Sequence, residues 1–162
     1  MSGTTTRPAR GRAQATVFRI LNVPMRALLS LPFPTPLGSR LMLVHHTGRK
    51  TGRHYRQPVS YVRDNGTLLT PGGGKWTRNL RDGEPVRIRL RGRDLNARPD
   101  LIKDPGEVER LLGVMAAANP ALRRFVPIPR DASGRLDPRS LQAAIDYGFR
   151  IVRWHPDPAF PS

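Results

Sequence analysis

Apolar positions recur along this chain in two rhythms, separated by a proline-rich connection. In residues 13–31 (AQATVFRILNVPMRALLSL), Val17, Phe18, Ile20, Leu21, Leu28 and Leu29 follow a helical spacing, and Arg19 and Arg26, seven apart, share one face among them. Pro24 kinks or interrupts that helix, because a proline inside it removes a donor and clashes with the preceding turn. After LPFPTPLG the pattern shortens to strands. Leu41 to His45 is an apolar run, and Tyr55 to Arg63 alternates loosely and reads as one strand. Asp64-Asn65-Gly66 predicts a hairpin, since Asn and Gly tolerate the positive φ of a tight turn, with Thr67 to Thr70 returning.

Pro71-Gly72-Gly73-Gly74 breaks the strand pattern, and Trp76 to Leu80 has room for about one helical turn. Val86, Ile88 and Leu90 alternate with Arg87 and Arg89, which predicts a half-buried strand over Pro85 to Leu90. Arg91-Gly92-Arg93 turns the chain into a further strand from Asp94 to Ile102. Asp104-Pro105-Gly106-Glu107 combines a capping box with Pro at the first helical position, so a helix runs to about Ala118 and ends at Asn119-Pro120. Asp137-Pro138 opens a second helix that closes near Gly148, and Phe149 to Trp154 reads as the last strand.

Many short strands joined by tight turns, with few helices, predict an α+β fold built on a small antiparallel barrel rather than a doubly wound parallel sheet. The expected organisation is a basic tail at residues 1–12, a helix and its connection at 13–36, the barrel at 37–156 and a tail at 157–162.

Charge narrows the partners. The chain carries 28 Lys and Arg against 12 Asp and Glu, a formal net charge of +16. Residues 1–63 contain eleven of those cations and no acid before Asp64, which points to an anionic partner: a phosphorylated small molecule, an anionic membrane or nucleic acid. Nucleic acid is disfavoured, because the ten aromatic residues do not interleave with the cations as a stacking platform requires. Residues 13–31 suit either a helix packed on the barrel or one lying on anionic lipid. No apolar run approaches the ~20 residues that span a bilayer, and no clean leader-peptide pattern follows the start, so a cytoplasmic or membrane-peripheral protein is expected. The absence of cysteine excludes disulfides, thiolate metal sites and cysteine nucleophiles. His45 and His46 would point to opposite faces of a strand and no HExxH spacing occurs, so no metal site is expected.

Two stretches carry candidate chemistry. In TGRKTGRHYR, Gly48 and Gly52 allow backbone N–H groups to approach an anion, and Arg49, Lys50, Arg53 and Arg56 place four cations within eight positions. Phosphate is the natural guest, and a solvated basic turn is the alternative. In PGGGKWTRNL, Gly72, Gly73 and Gly74 followed by Lys75, Trp76 and Asn79 could form a floor for a planar ring, or a loop whose Trp76 caps the core. It is not a phosphate-binding Walker loop, because the first Gly and the Ser or Thr after Lys are missing. His54 and Tyr55 read either as ligand contacts or as ordinary strand residues. No GxSxG elbow and no close carboxylate pair is present among the strands, which suits chemistry carried by a bound cofactor.

The order LMLVHHTGRKTG, RQPVSYVRDNG, a Gly-rich loop into KWTRNL, then PVRIRLRGRDLNAR resembles the deazaflavin-dependent nitroreductase family of the split β-barrel flavin-binding superfamily. The resemblance is strongest over residues 37–102. It implies a split β-barrel that binds coenzyme F420, an 8-hydroxy-5-deazaflavin with a phosphate and an oligoglutamate tail, and passes hydride to a quinone, nitroaromatic or activated alkene. By the same resemblance Arg49 and Lys50 would hold the phosphate or tail, Gly72 to Gly74 with Lys75 would line the deazaflavin, and Trp76 and Asn79 would lie beside the ring or its ribityl chain. Gly52-Arg53-His54-Tyr55 stands where many members have Gly-x-Pro-Arg, so Arg53 or Arg56 takes over that cation. Tyr147 is a candidate for the acceptor pocket. FMN is the alternative cofactor, though its single phosphate needs fewer cations than this chain offers. A pairing of two barrels is also expected from the resemblance.

Overall fold

The structure is a computed structural model, and it describes residues 41–73, 76–124, 126 and 128–158. The expected N-terminal tail, the helix over 13–31 with its connection, Gly74 and Lys75, and residues 159–162 of the expected C-terminal tail lie outside the described residues, whereas Asp157 is the last residue of the final strand.

Seven strands form one antiparallel sheet: β1 Leu41–Thr47, β2 His54–Ser60, β3 Val62–Asp64, β4 Thr67–Gly72, β5 Val86–Leu90, β6 Arg93–Ile102 and β7 Arg150–Asp157. Their spatial order is β2-β1-β5-β6-β7-β4-β3. β2 and β3 therefore stand at opposite ends of the order, yet Tyr61 alone separates them along the chain. A sheet whose two end strands are joined by one residue must curl until they meet, and this closure makes the barrel expected from the sequence. It also corrects one expectation, because Tyr55 to Arg63 is not one strand. Its first part pairs with β1 (Leu41↔Ser60 to Thr47↔His54) and its second with β4 (Val62↔Leu69 to Asp64↔Thr67). Tyr61 turns the corner with its ring buried, and that burial raises the pKa of its phenol.

The turns form where the sequence supplies residues that accept positive φ. Asn65 (φ 46) and Gly66 (φ 78) close β3–β4, and Arg91 (φ 50) and Gly92 (φ 80) close β5–β6. Helices α1 (Pro105–Ala118) and α2 (Pro138–Asp146) begin at Asp104 and Asp137, whose carboxylates accept from the backbone N–H of Glu107 and Ser140, both at 2.9 Å. Two short 3-10 turns, Thr77–Asn79 and Pro120–Arg124, complete the secondary structure.

Strand alternation divides the apolar residues into two cores. One, inside the curl, holds Met42, Val44, Val59, Leu68, Ile88, Val152 and Trp154. The other packs α1 and α2 on the sheet through Leu69, Leu111, Met115, Leu141 and Ile151. Adjacent residues such as Leu68 and Leu69 thus serve opposite faces. Trp154, at the centre of the inner core, donates its indole N–H to Thr70 Oγ1 at 3.1 Å, so its polar atom is satisfied where no water reaches.

Candidate functional site

The T-G-R-K-T-G turn closes β1–β2 through bonds from Gly48 N to the Arg53 carbonyl (2.8 Å) and from Gly52 N to the Gly48 carbonyl (3.0 Å). Glycine suits both positions: a Cβ at Gly48 would stand 2.9 Å from Thr51 Oγ1, and Gly52 has φ +67, where a side chain is strained. The turn is tied to the 3-10 turn some thirty residues later. Arg49 N donates to Asn79 Oδ1 at 3.3 Å, and the Arg49 guanidinium donates to the Leu80 carbonyl at 3.0 Å. Asn79 Nδ2 faces His46 Nδ1 at 3.1 Å. An amide nitrogen only donates, so His46 accepts there and its proton sits on Nε2. The His46 ring stacks on Tyr55 with centroids 5.3 Å apart and planes 20° from parallel. The two motifs singled out in the sequence thus meet at one rim of the barrel, with an aromatic pair beside them.

The same rim collects the Gly-rich loop and the α2–β7 corner. Gly72 pairs with Arg150 in the β4–β7 ladder, and a Cβ on Gly72 would lie 2.6 Å from the Thr77 methyl and 3.2 Å from Val152. What this glycine accommodates is therefore the start of the 3-10 turn. Gly73 has Phe149 nearest, at 3.8 Å from a Cβ position. Trp76 is half-buried against the inner core. Lys50 and Arg53 are exposed. Tyr147 caps α2, is 89 % exposed and is not among the residues that line the histidine cleft described next.

Because Met42 and Val44 point into the barrel, His46 does too, while His45 and Thr47 face outward. His45 is paired with Arg56 on β2, and the Val44↔Ile88 register brings Arg87 of β5 to its other side. Arg87 Nη2 lies 3.3 Å from His45 Nδ1. A guanidinium cannot accept, so Nδ1 does, and the neutral ring carries its proton on Nε2. Burial first, and then the Arg87 charge, lowers the His45 pKa and keeps the ring neutral. Its Nε2 is buried and has no hydrogen-bond partner among the described residues. Thr47 Oγ1 and His54 Nδ1 meet at 3.1 Å on the same side.

These side chains line a half-open cleft of about 560 Å³ together with His46, Tyr55 and Arg56. That size suits an organic ligand. The lining described here contains imidazoles, guanidiniums, a hydroxyl and a phenol but no carboxylate, which is a surface for an anion. A second cavity, of about 40 Å³, lies under Pro71 between Leu112, Met115 and Ile128 and is too small for a cofactor. Among the described residues no group of three His, Cys, Asp or Glu could hold a metal, and no helix is long and apolar enough to cross a membrane.

Of the residues singled out in the sequence, Arg49 and Asn79 are in direct contact, with Trp76 and Gly72 beside them at the rim. Arg56 lies in the cleft, and Gly74 and Lys75 are outside the described residues. His45 and Arg87 were not foreseen. Alternation marked both as outward-facing, but only the sheet register brings residues of β1 and β5 side by side.

The family model described as F420H(2)-dependent quinone reductase matches residues 12–126. No curated protein matches the sequence. Among solved structures, a protein of unknown function from Agrobacterium tumefaciens is similar with a TM-score of 0.51 at 16 % identity, over 77 % of this chain and 58 % of that one. A chain described as a domain-swapped dimer has a TM-score of 0.50 at 14 % identity, over 85 % and 98 %. An F420-H2 dependent reductase has a TM-score of 0.47 at 16 % identity, over 71 % and 93 %.

Proposed function

The chain belongs to the F420H(2)-dependent quinone reductase family, an oxidoreductase family whose cofactor is coenzyme F420, and from that premise we propose that its barrel rim holds the cofactor against a quinone acceptor. The observation that carries this reading is the contact of Arg49 with Asn79 and Leu80. It joins the basic turn to the W-x-x-N-L turn, so that cations, backbone N–H groups and the His46–Tyr55 pair converge on one surface.

The rim fits the group on chemical grounds. The stacked pair offers an aromatic face for a planar ring. Lys50 and Arg53 are exposed cations beside it, and Arg49 keeps further N–H donors after its bond to Leu80. When bound in its reduced form, the cofactor supplies the hydride. The protein's part is positioning: Arg49 and Asn79 hold the two turns in register, and Lys50, Arg53 and Arg56 with Lys75 would anchor the anionic portion. Gly73, Gly74 and Trp76 would border the ring. Tyr147 would contact the acceptor only as a ligand reaches the α2–β7 corner. FMN is the second reading, and the several cations around the rim favour the ligand with more negative charge. We further propose that residues 13–31 rest on anionic membrane, where a lipophilic quinone would be met, and that two barrels associate.

A fluorescence titration of the full-length protein with F420 and with FMN at near-physiological salt, followed by oxidation of reduced F420 with a naphthoquinone, tests the assignment. Tighter binding of F420 and quinone-dependent oxidation are expected. Preferential binding of FMN, or no oxidation of bound reduced F420 by quinones, would overturn it.

A further inference from the structure

The 3-10 turn Thr77–Asn79 sends its three side chains in three directions, because three residues complete each turn and neighbours leave it about 120° apart. Thr77 is buried against Gly72. Asn79 reaches Arg49 and His46. Arg78 takes the remaining direction, toward the α2–β7 corner, where its Nη2 lies 3.9 Å from the place of a Cβ on Gly148. We propose that Arg78 is the cation that meets the acceptor: at the corner beside Tyr147, its guanidinium receives the negative oxygen that a quinone gains on taking up hydride. This rests on the reading of the rim as a cofactor site and adds the residue that acts on the second substrate.

The chemistry calls for such a group. A quinone that takes up a hydride gains its two electrons and becomes a hydroquinone anion, and a proton from water completes the hydroquinone. The reduced cofactor gives up that hydride and releases one proton to water, so the exchange balances. The charge that develops is on the acceptor oxygen, where a fixed donor lowers the barrier.

Three observations single out Arg78. Arg150, the other cation at the corner, is committed to the protein, since it donates to the Ile145 and Phe149 carbonyls at 2.8 and 2.7 Å. The Arg78 side chain is exposed and bonds none of the described residues, and the nearby carboxylate of Asp146 accepts from Gln142 at 2.8 Å instead. Gly148, with φ +115, carries no side chain to cover the guanidinium. Because Asn79 of the same short turn touches His46 of the stacked pair, one turn fixes the distance between the ring platform and the cation.

The test compares Arg78→Met and Arg78→Lys with Arg139→Met, which removes the same charge at the other end of α2, all in the full chain. In reduction of a naphthoquinone by the protein loaded with reduced F420, Arg78→Met should lower kcat/KM on the order of tenfold, the small end of the range for an oxyanion donor because the site is open to water. Arg78→Lys should recover part of the loss, and Arg139→Met should show none. An unchanged kcat/KM in Arg78→Met, an equal loss in Arg139→Met, or a parallel loss of F420 affinity overturns the role. A readout without turnover uses 2-naphthoate, a stable bicyclic anion, and 2-naphthamide, its neutral counterpart. The unmodified protein should bind the anion more tightly, and Arg78→Met should erase the difference; no preference, or one that survives the substitution, overturns the proposal. Should F420 not bind the unmodified protein, the cofactor reading fails by itself, and the naphthoate pair still decides the anion site at Arg78 by the same two outcomes.

Discussion

Asn79 accepts a hydrogen bond from the backbone N–H of Arg49 at 3.3 Å, across thirty residues of sequence, and its amide nitrogen reaches His46 at 3.1 Å. One side chain thus connects the basic turn, the 3-10 turn and the aromatic pair. Asn79→Ala removes both contacts, and the expected result is a loss of about 1–2 kcal/mol in urea unfolding together with weaker F420 binding. Lys50→Met provides the contrast: its side chain is exposed, so stability should hold while affinity falls. Equal effects of the two variants on stability would remove the clamp role from Asn79.

Gly72 is where the Gly-rich loop meets the protein's own packing. A methyl group there would stand 2.6 Å from the Thr77 Cγ2, so Gly72→Ala should destabilise by about 1–3 kcal/mol, the usual cost of overpacking. Adding Thr77→Ser withdraws the opposing methyl and should recover part of the loss. Thermal unfolding of the single and double variants reads this directly, and additive losses would contradict the contact.

The Trp154 indole and the Thr70 hydroxyl bond at 3.1 Å with both residues wholly buried. Thr70→Val leaves the indole N–H without an acceptor and should cost about 1–3 kcal/mol. In a Trp154→Phe background, where no donor remains, the same substitution should cost much less. A double-mutant cycle with no coupling would show that the bond contributes nothing.

Acid stability offers a fourth check. Glu107 accepts from Arg110 at 2.9 and 2.7 Å and from Arg153 at 3.4 Å. The Arg110 bonds are the main reason its pKa falls from 4.5 to about 2. Because the folded value is below the unfolded one, the stabilisation is complete above about 4.5 and is lost as pH falls toward about 2. Glu107→Gln should therefore flatten the acid side of the stability profile in that window and leave the region above pH 5 nearly level. The carboxylate is partly open to solvent, so the effect should shrink further in high salt.

Much of this protein was legible in its residues, because local chemistry dictated it. Asp104 with Pro105 and Asp137 with Pro138 marked both helix starts, Asn65-Gly66 marked a hairpin, and the alternation of Val86, Ile88 and Leu90 marked β5. Each depends on neighbours a few positions apart. The order TGRKTG then KWTRNL also carried the family resemblance and with it the cofactor. Tertiary structure alone decided the rest. A loosely alternating run from Tyr55 to Arg63 holds no sign that its two halves pair with different strands, since that depends on where a closing sheet brings β1 and β4. Nor could spacing reveal that Arg49 would bond Leu80, or that Arg87 would stand beside His45. Those contacts join residues thirty to forty positions apart, and sequence periodicity describes which face a side chain takes, whereas register across strands determines what it meets there.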